Sequence, residues 1–339
     1  MQAAAFSALQ ALDVRAAGDE LLAAVSDPSK TAVARTAALE ALDNFNDPRL
    51  AQAVEAAGSS DSPALRLAAL PIAARLSPES ALPVLTNLVE RGNIEEKRTA
   101  FRALADLAHP EADRLLASQL RELAEGNVPV AAQLELLQSA GERDDPATKE
   151  LLQVREAALA TSPDPLAQFR VALEGGNRGM GQRVFNNHPV LACQRCHQVG
   201  GQGGEAGPDL SLIGTKHSRE MLLEAIIKPS STIAEGFDTV VVTLKSGDVQ
   251  VGTIAAEDAS TLTIRLGDGT TAAIAKNTIQ SRQAAPSSMP EIYGSVLTKS
   301  EVRDLLEFLA TLNVDPGKAS GPRALQPFPQ EFSAAGHGE

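Results

Sequence analysis

The chain has 339 residues, which is enough for two or three domains, and it carries a net charge of −13 with a pI near 4.9. This acidity argues against nucleic-acid binding and against a polybasic membrane-binding patch. Aromatic residues make up only 3% of the chain and Trp is absent, which favours packed helices over a large β-sandwich. No stretch of sequence has the continuous apolar length that a transmembrane helix requires.

Residues 1–162 show the pattern of helix pairs with an internal repeat. Three helical stretches align on an arginine that recurs as Arg35, Arg66 and Arg98, at intervals of 31 and 32 residues. A fourth copy near residues 130–134 lacks this arginine. An Asp or Ser N-cap followed by Pro is typical of helix starts. Such pairs occur at Asp27-Pro28, Asp47-Pro48 and Ser77-Pro78.

Helix pairs at a fixed period cannot bury their apolar faces alone, so they stack into a solenoid. The pattern resembles that of HEAT-like repeats with a short period, and the alternative is an ordinary alanine-rich helical bundle. In a solenoid, a repeated arginine more often links adjacent turns than binds a ligand. His109, which precedes Pro110, is expected in a loop. The region has no catalytic constellation, but its surface is a candidate docking site for a protein partner.

A Ser/Pro-rich linker at residues 161–165 separates these repeats from a second region. That region contains the run Cys193-Gln194-Arg195-Cys196-His197, which holds both cysteines of the chain and has the spacing of a c-type haem attachment motif. Two thiols on one helical turn can each add to a haem vinyl group, and the imidazole that follows then faces the iron. Cys193, Cys196 and His197 are therefore predicted to bind haem c, with His197 as the proximal iron ligand.

Two other chemistries also use a Cys-x-x-Cys pair. A thioredoxin-like redox pair follows a strand in a βαβ unit, whereas the flanks of this pair are Gly-rich loop. A structural zinc site needs four ligands, and no second Cys or His pair occurs here at short spacing. Covalent haem is therefore the favoured interpretation.

The segments on either side of the motif are predicted to pack as two helices. In the helix over residues 177–185, Gly181 and Phe185 lie four residues apart on one face, as in the helix that precedes the haem of small cytochromes c. Their expected partner is a helix over residues 300–312, introduced by a capping box. Its apolar stripe consists of Val302, Leu305, Leu306 and Leu309.

Two further residues are predicted to complete the haem site. Pro208 is expected to direct its backbone carbonyl to the His197 imidazole and so to fix its tautomer. Met289, in an extended loop before the final helix, is the favoured sixth ligand of the iron. Met180 and Met221 fall within helix patterns and are interpreted as core residues. Rival sixth ligands are His188 and His217, and an open sixth position, which would allow peroxide or oxygen chemistry, is the remaining alternative.

Residues 237–285 differ in character from the rest of the region. Alternating β-branched residues around Gly-Asp turns predict two hairpins, and a last strand near residues 278–283 would complete a small five-stranded barrel. This barrel would interrupt the cytochrome domain between its haem motif and its final helix. Shielding of the haem or contact with a partner is one interpretation, and a tolerated insertion without chemistry is the other.

The run from residue 179 to 312 resembles the haem-binding domain of the Planctomycetes–Verrucomicrobia type, a cytochrome c family. The resemblance rests on the run from Gly179 to Phe185, the haem motif, the β insertion, three further short runs, and Leu297-Thr298 leading into Asp304-Leu305-Leu306. It departs from the family at Tyr293. It implies a protein with HEAT-like repeats and, further upstream, a β-propeller resembling sugar dehydrogenases. The chain is accordingly expected to be a fragment of an exported protein, periplasmic or at the cell surface, whose signal peptide lies upstream. The three runs are Gly207-Pro208-Asp209-Leu210, Ile227-Lys228-Pro229-Ser230 and Ser288-Met289-Pro290.

The sequence thus predicts a mainly α protein in which electrons are transferred through covalent haem c. A fused or partner dehydrogenase would supply the electrons, a respiratory carrier would accept them, and the chain itself would be a carrier rather than an enzyme. The alternatives are a haem peroxidase or sensor with an open sixth site, and a HEAT-type interaction scaffold. The predicted regions are a HEAT-like α-solenoid (1–162), a cytochrome c domain in two parts (163–236 and 286–314), the inserted β-barrel (237–285) and a flexible tail (315–339).

Overall fold

The computed structural model describes residues 17–267 and 269–314, so the predicted tail lies outside the described residues. The chain divides into two compact units, with the boundary between Ser162 and Pro163. Within the described ranges, the chain forms no helix that combines the length and the apolar character of a membrane span.

The first unit consists of successive α-helices joined by short turns. Four helices pack each on the next: α2 (Ala32–Asn44), α4 (Pro63–Leu76), α6 (Ile94–Asp106) and α8 (Val130–Gly141). The helices between them in the chain, α3 (Leu50–Gly58), α5 (Pro78–Arg91) and α7 (Pro110–Ala124), pack beside these four. Two hydrophobic clusters fill the space between the helices, one over residues 21–72 and one over residues 74–140. This stacking is the arrangement that helix pairs of fixed period need in order to bury their apolar faces. The helices are α1 (Gly18–Ser26), α2 (Ala32–Asn44), α3 (Leu50–Gly58), α4 (Pro63–Leu76), α5 (Pro78–Arg91), α6 (Ile94–Asp106), α7 (Pro110–Ala124), α8 (Val130–Gly141) and α9 (Pro146–Ala160).

The repeated arginines bind neighbouring parts of the same unit. The Arg35 Nε donates to the Val25 carbonyl at 2.8 Å, near the end of the preceding helix. Arg98 on α6 reaches Glu135 on α8, with Nη2 and Oε1 2.9 Å apart. Arg66 donates to the Ser60 carbonyl just before its own helix. These contacts fit the structural role expected of a repeated arginine.

The predicted helix starts at the two Asp-Pro pairs are wrong. Asp27 accepts a hydrogen bond from the Ser29 backbone, which closes a turn, and α2 then begins at Ala32 with Thr31 as its N-cap. Asp47 likewise accepts from the Arg49 backbone, and α3 begins only after that turn. A short turn satisfies the same carboxylate, so the pair alone does not place the first helical residue.

In the second unit, the helices flanking the haem motif pack together as predicted. Gly181 lies directly against the Asp304 backbone, and the rings of Phe185 and Phe308 lie 5.4 Å apart. The predicted apolar stripe is buried, and Thr298 and Glu301 form the predicted capping box. The α-helices of this unit are α10 (Arg178–Asn187), α11 (Ile213–Lys216), α12 (Arg219–Ile227), α13 (Tyr293–Val296) and α14 (Lys299–Ala310), and a 3-10 helix spans Ala167–Ala172.

The β insertion forms a five-stranded antiparallel sheet in the order β6-β5-β4-β3-β7. The two predicted hairpins are present, β3 with β4 and β5 with β6. The three-residue turn Lys276–Thr278 joins the two edge strands, so the sheet must curl. However, β7 pairs with β3 and not with β6, so the sheet stays open and the expected closed barrel is not formed. The strands are β3 (Thr239–Leu244), β4 (Val249–Glu257), β5 (Thr261–Arg265), β6 (Thr271–Ala275) and β7 (Ile279–Ala284); a separate two-stranded ribbon consists of β1 (Gln198–Val199) and β2 (Gln202–Gly203).

Candidate haem site

The two cysteines lie on a single tight turn. Cys193–Arg195 forms a 3-10 turn, and the His197 backbone N–H donates to the Cys193 carbonyl at 3.0 Å. Ala192, just before this turn, has the left-handed φ of 34°, which is strained for a residue with a side chain. Both thiols are free, Cys196 is exposed, and burial raises the pKa of Cys193 to about 11.

The His197 imidazole is held from one side by the loop that follows. Its Nδ1 lies 2.9 Å from the Pro208 carbonyl oxygen, which is the predicted contact. A carbonyl only accepts, so Nδ1 carries the proton and Nε2 keeps its lone pair for a ligand. Burial lowers the pKa of His197, which favours this neutral, metal-binding form. Gly207 lies flat against the ring, where a β-carbon would stand 2.6 Å from Cε1.

One cavity of about 960 Å³ brings the predicted site residues together. This volume lies near the upper end of the range for small-molecule and cofactor sites, ~300–1,000 Å³. Its walls are mainly apolar. They come from the chain segments before and after the β insertion and include Phe185, Leu222, Ile226, Leu305 and Leu309. The predicted residues on its wall are Cys193, Cys196, His197, Pro208 and Met289.

The Met289 loop is anchored at the edge of this cavity. The Ser287 N–H donates to the Ser230 Oγ at 3.2 Å, and the Met289 N–H donates to the Ser287 Oγ at 3.2 Å. Met180 and Met221 are helical, as predicted, but their interpretation as core residues is wrong. They are 43% and 50% exposed, because they lie on the outer faces of α10 and α12.

The two rival histidines differ in position. The His188 Nδ1 accepts from the backbone of Val190 and Leu191, and His188 is not on the described wall of the cavity. His217 lines the cavity, and its buried Nδ1 has no hydrogen-bond partner among the described residues. Of the two, only His217 is placed to compete with Met289 for a bound iron.

One face of the β-sheet forms part of the cavity wall, which sequence reasoning did not assign. Val240, Val242 and Ile264 point to the other face and form a small core there. Side chains alternate along a strand, so Thr239 and Val241 face the cavity instead. The same alternation is visible in the sequence, but which face meets the haem motif is not. Other wall residues that the sequence did not assign are Val251, Thr253, Arg265 and Tyr293.

These residues fit a haem group better than the alternatives. The thiols, an oriented imidazole and a thioether line one mainly apolar space of suitable volume, and these are the donor types that hold haem in proteins. Among the described residues, no group of three or more His, Cys, Asp or Glu could hold a metal ion, so the zinc interpretation gains no ligands. The cysteine turn precedes the β1–β2 ribbon and does not follow a strand, unlike a thioredoxin-type pair.

Fold and site together define a haem-binding domain of the cytochrome c type, preceded by stacked helices. Comparison with known families agrees: residues 180–241 match the family model described as Cytochrome c. The match begins within α10, spans the haem motif, α11 and α12, and ends within β3. No curated protein matches the chain. The match supports haem as cofactor and electron transfer as the general role.

Proposed function

We propose that the second unit binds haem c covalently and transfers single electrons. Cys193 and Cys196 would form the two thioether bonds, and His197 and Met289 would be the axial ligands. The observation that carries this proposal is that one mainly apolar cavity is lined by all four residues, although Met289 follows the haem motif only after the β-sheet. The bound haem supplies the redox chemistry, a one-electron exchange at iron.

The chain's own residues orient the cofactor and exclude water from it. The Pro208 carbonyl holds the proton of His197 on Nδ1, so Nε2 keeps its lone pair for the haem iron and would be the more basic ligand for that hydrogen bond. The Ser230–Ser287 contact fixes the loop that carries Met289. The apolar walls lower the local dielectric, which is one of the factors that set a haem potential.

The wider role is proposed in the same way. We infer that the chain belongs to an exported protein with the Planctomycetes–Verrucomicrobia type of haem-binding domain. Electrons would come from a fused or partner dehydrogenase and pass to a respiratory carrier. The first unit would be a HEAT-like solenoid offering a protein-docking surface; the stacked helices and their arginine contacts support this identification.

A second candidate function is supported by His217. His217 lines the cavity, and its buried Nδ1 has no partner among the described residues, so this side chain would be able to replace Met289 as ligand or to assist a small molecule at an open sixth position. Ligation by His217 would still give a six-coordinate electron carrier, whereas an open sixth position would suit a haem sensor or peroxidase.

The experiment is carbon monoxide binding to the ferrous chain, produced in cells that attach haem c. Haem that stays on the polypeptide in a denaturing gel demonstrates covalent attachment. The wild-type chain is expected to bind CO slowly, Met289→Ala rapidly, and Met180→Ala, an exposed control, like wild type. Rapid binding by wild type would favour the open site. Rapid binding by His217→Ala but not by Met289→Ala would make His217 the ligand.

A further inference from the structure

The cavity wall contains a polar row that the ligands proposed above do not use. Thr239 on β3 pairs with Thr253 on β4, and Thr253 pairs with Arg265 on β5. All three line the cavity. Directly paired side chains on one sheet face stand about 4.5–5.5 Å apart at Cβ, so the Cβ atoms of these three polar residues form one row across the sheet.

The described side chains on the cavity wall include a permanent cation and no carboxylate. Among the described residues that line the cavity, Arg265 is the permanently charged side chain, and none is Asp or Glu. The other titratable wall residues are Cys193, Cys196, His197, His217 and Tyr293. The Arg265 Nη1 donates to the Glu205 backbone carbonyl at 3.1 Å, which ties β5 to the loop after the haem motif. A guanidinium has five N–H donors, so this bond, the one that Arg265 makes among the described residues, leaves donors for a ligand.

Thr239 gives an independent indication that a polar ligand group belongs here. It is only 8% exposed, and its Oγ1 has no hydrogen-bond partner among the described residues. A buried hydroxyl without a partner costs about 1–3 kcal/mol, so such groups normally meet a ligand or water.

We propose that Arg265, with Thr239 and Thr253, binds a carboxylate of the cofactor. This inference rests on the proposed function, because haem carries two propionate groups at one edge. An arginine fork matches carboxylate geometry, and neighbouring hydroxyls donate further hydrogen bonds. The β insertion is then part of the haem site, and it places a positive charge beside the cofactor.

The test is a redox titration of the full haem-loaded chain over a range of pH. Arg265→Gln removes a cation that stabilises the electron-rich ferrous state, so the midpoint potential is expected to fall. The unpaired carboxylate also loses the charge that keeps it ionised, so its pKa rises. The potential of this variant should therefore decrease with rising pH across the neutral range, where the wild-type potential stays flat.

Matched variants separate binding from a merely structural role. Arg265→Lys keeps the charge and should recover most of the potential, while Thr239→Val should lower it less than Arg265→Gln. Arg282→Gln, on β7 beside Glu257 and outside the described cavity wall, should leave potential and pH profile unchanged. A potential and pH profile in Arg265→Gln equal to those of wild type would overturn the proposal. A wild-type chain without covalent haem would overturn this proposal together with the proposed function.

Discussion

Gly181 on α10 lies directly against the backbone of α14, and replacing it tests the packing around the haem site. A β-carbon at this position would stand 1.9 Å from the Asp304 carbonyl oxygen and 2.8 Å from the Phe308 Cβ. The nearest obstacle is backbone, which cannot rotate away. We expect Gly181→Ala to push the two helices apart and to destabilise the second unit.

The expected loss of stability combines two effects that destabilise the second unit and one that stabilises it. The helices must separate by about 1 Å, and overpacking of this kind costs about 1–3 kcal/mol. Separation also weakens the ring contact of Phe185 and Phe308, which is worth about 0.5–1.5 kcal/mol beyond its buried area. Alanine favours a helix over glycine by about 0.8–1.0 kcal/mol, which offsets part of this loss. The net loss is about 2 kcal/mol, or about 4–8 °C in Tm for a unit of this size.

The assay is thermal unfolding of the full chain by calorimetry, which follows the transitions of both units. Gly141→Ala is the matched control, because Gly141 ends a helix and its β-carbon would meet nothing within 4 Å. That variant should be neutral or slightly stabilised. A Gly181→Ala chain as stable as the Gly141→Ala chain would contradict the predicted clash between the two helices.

Three other predictions concern the haem loop and the first unit. Gly207→Ala puts a β-carbon 2.6 Å from Cε1 of His197, so the ring must move, and the ferrous absorption and ferric EPR spectra should report changed axial ligation. The pKa of Cys193 is raised to about 11, so its alkylation by iodoacetamide in the haem-free chain should be slow at neutral pH and rise about tenfold per pH unit towards that value. Arg98→Met leaves the carboxylate of Glu135, 3% exposed, without its arginine and should cost the first unit about 3–5 kcal/mol in denaturant unfolding.

Each of these predictions has a control. Gly58→Ala, at the end of α3 in the first unit, places a β-carbon where nothing lies within 4 Å and should leave the haem spectrum unchanged. The Cys193 rates are measured with Cys196→Ser, so that one thiol reacts, and fast alkylation at neutral pH would contradict the burial argument. Arg114→Met breaks an exposed pair with Glu111 and should cost less than about 1 kcal/mol. An equal loss from both arginine variants would show that burial of the partner does not matter.

Local signals in the sequence predicted most of the elements of the second unit. The alternation of β-branched residues placed the strands within a few residues, because a half-buried strand needs that period. The spacing of Gly181 and Phe185 predicted the helix contact, because only a small residue admits a crossing backbone. The Asp-Pro pairs led to wrong predictions of helix starts, because a turn and a helix N-cap satisfy the same carboxylate. The exposure of Met180 and Met221 was also missed, because an apolar residue in a helix pattern does not by itself reveal its face.

The donor groups of the candidate site can be named from the sequence alone: two thiols and an imidazole in fixed spacing, a proline shortly after them, and a methionine in a loop before the last helix. These features can be recognised because each depends on residues that are close together in the sequence. The three-dimensional packing was needed to learn that Thr239 and Arg265 line the same cavity as His197, and that His217 lies on the described wall of that cavity while His188 does not. Those facts depend on how distant segments pack, because a strand presents two faces and the sequence does not say which one meets the haem motif.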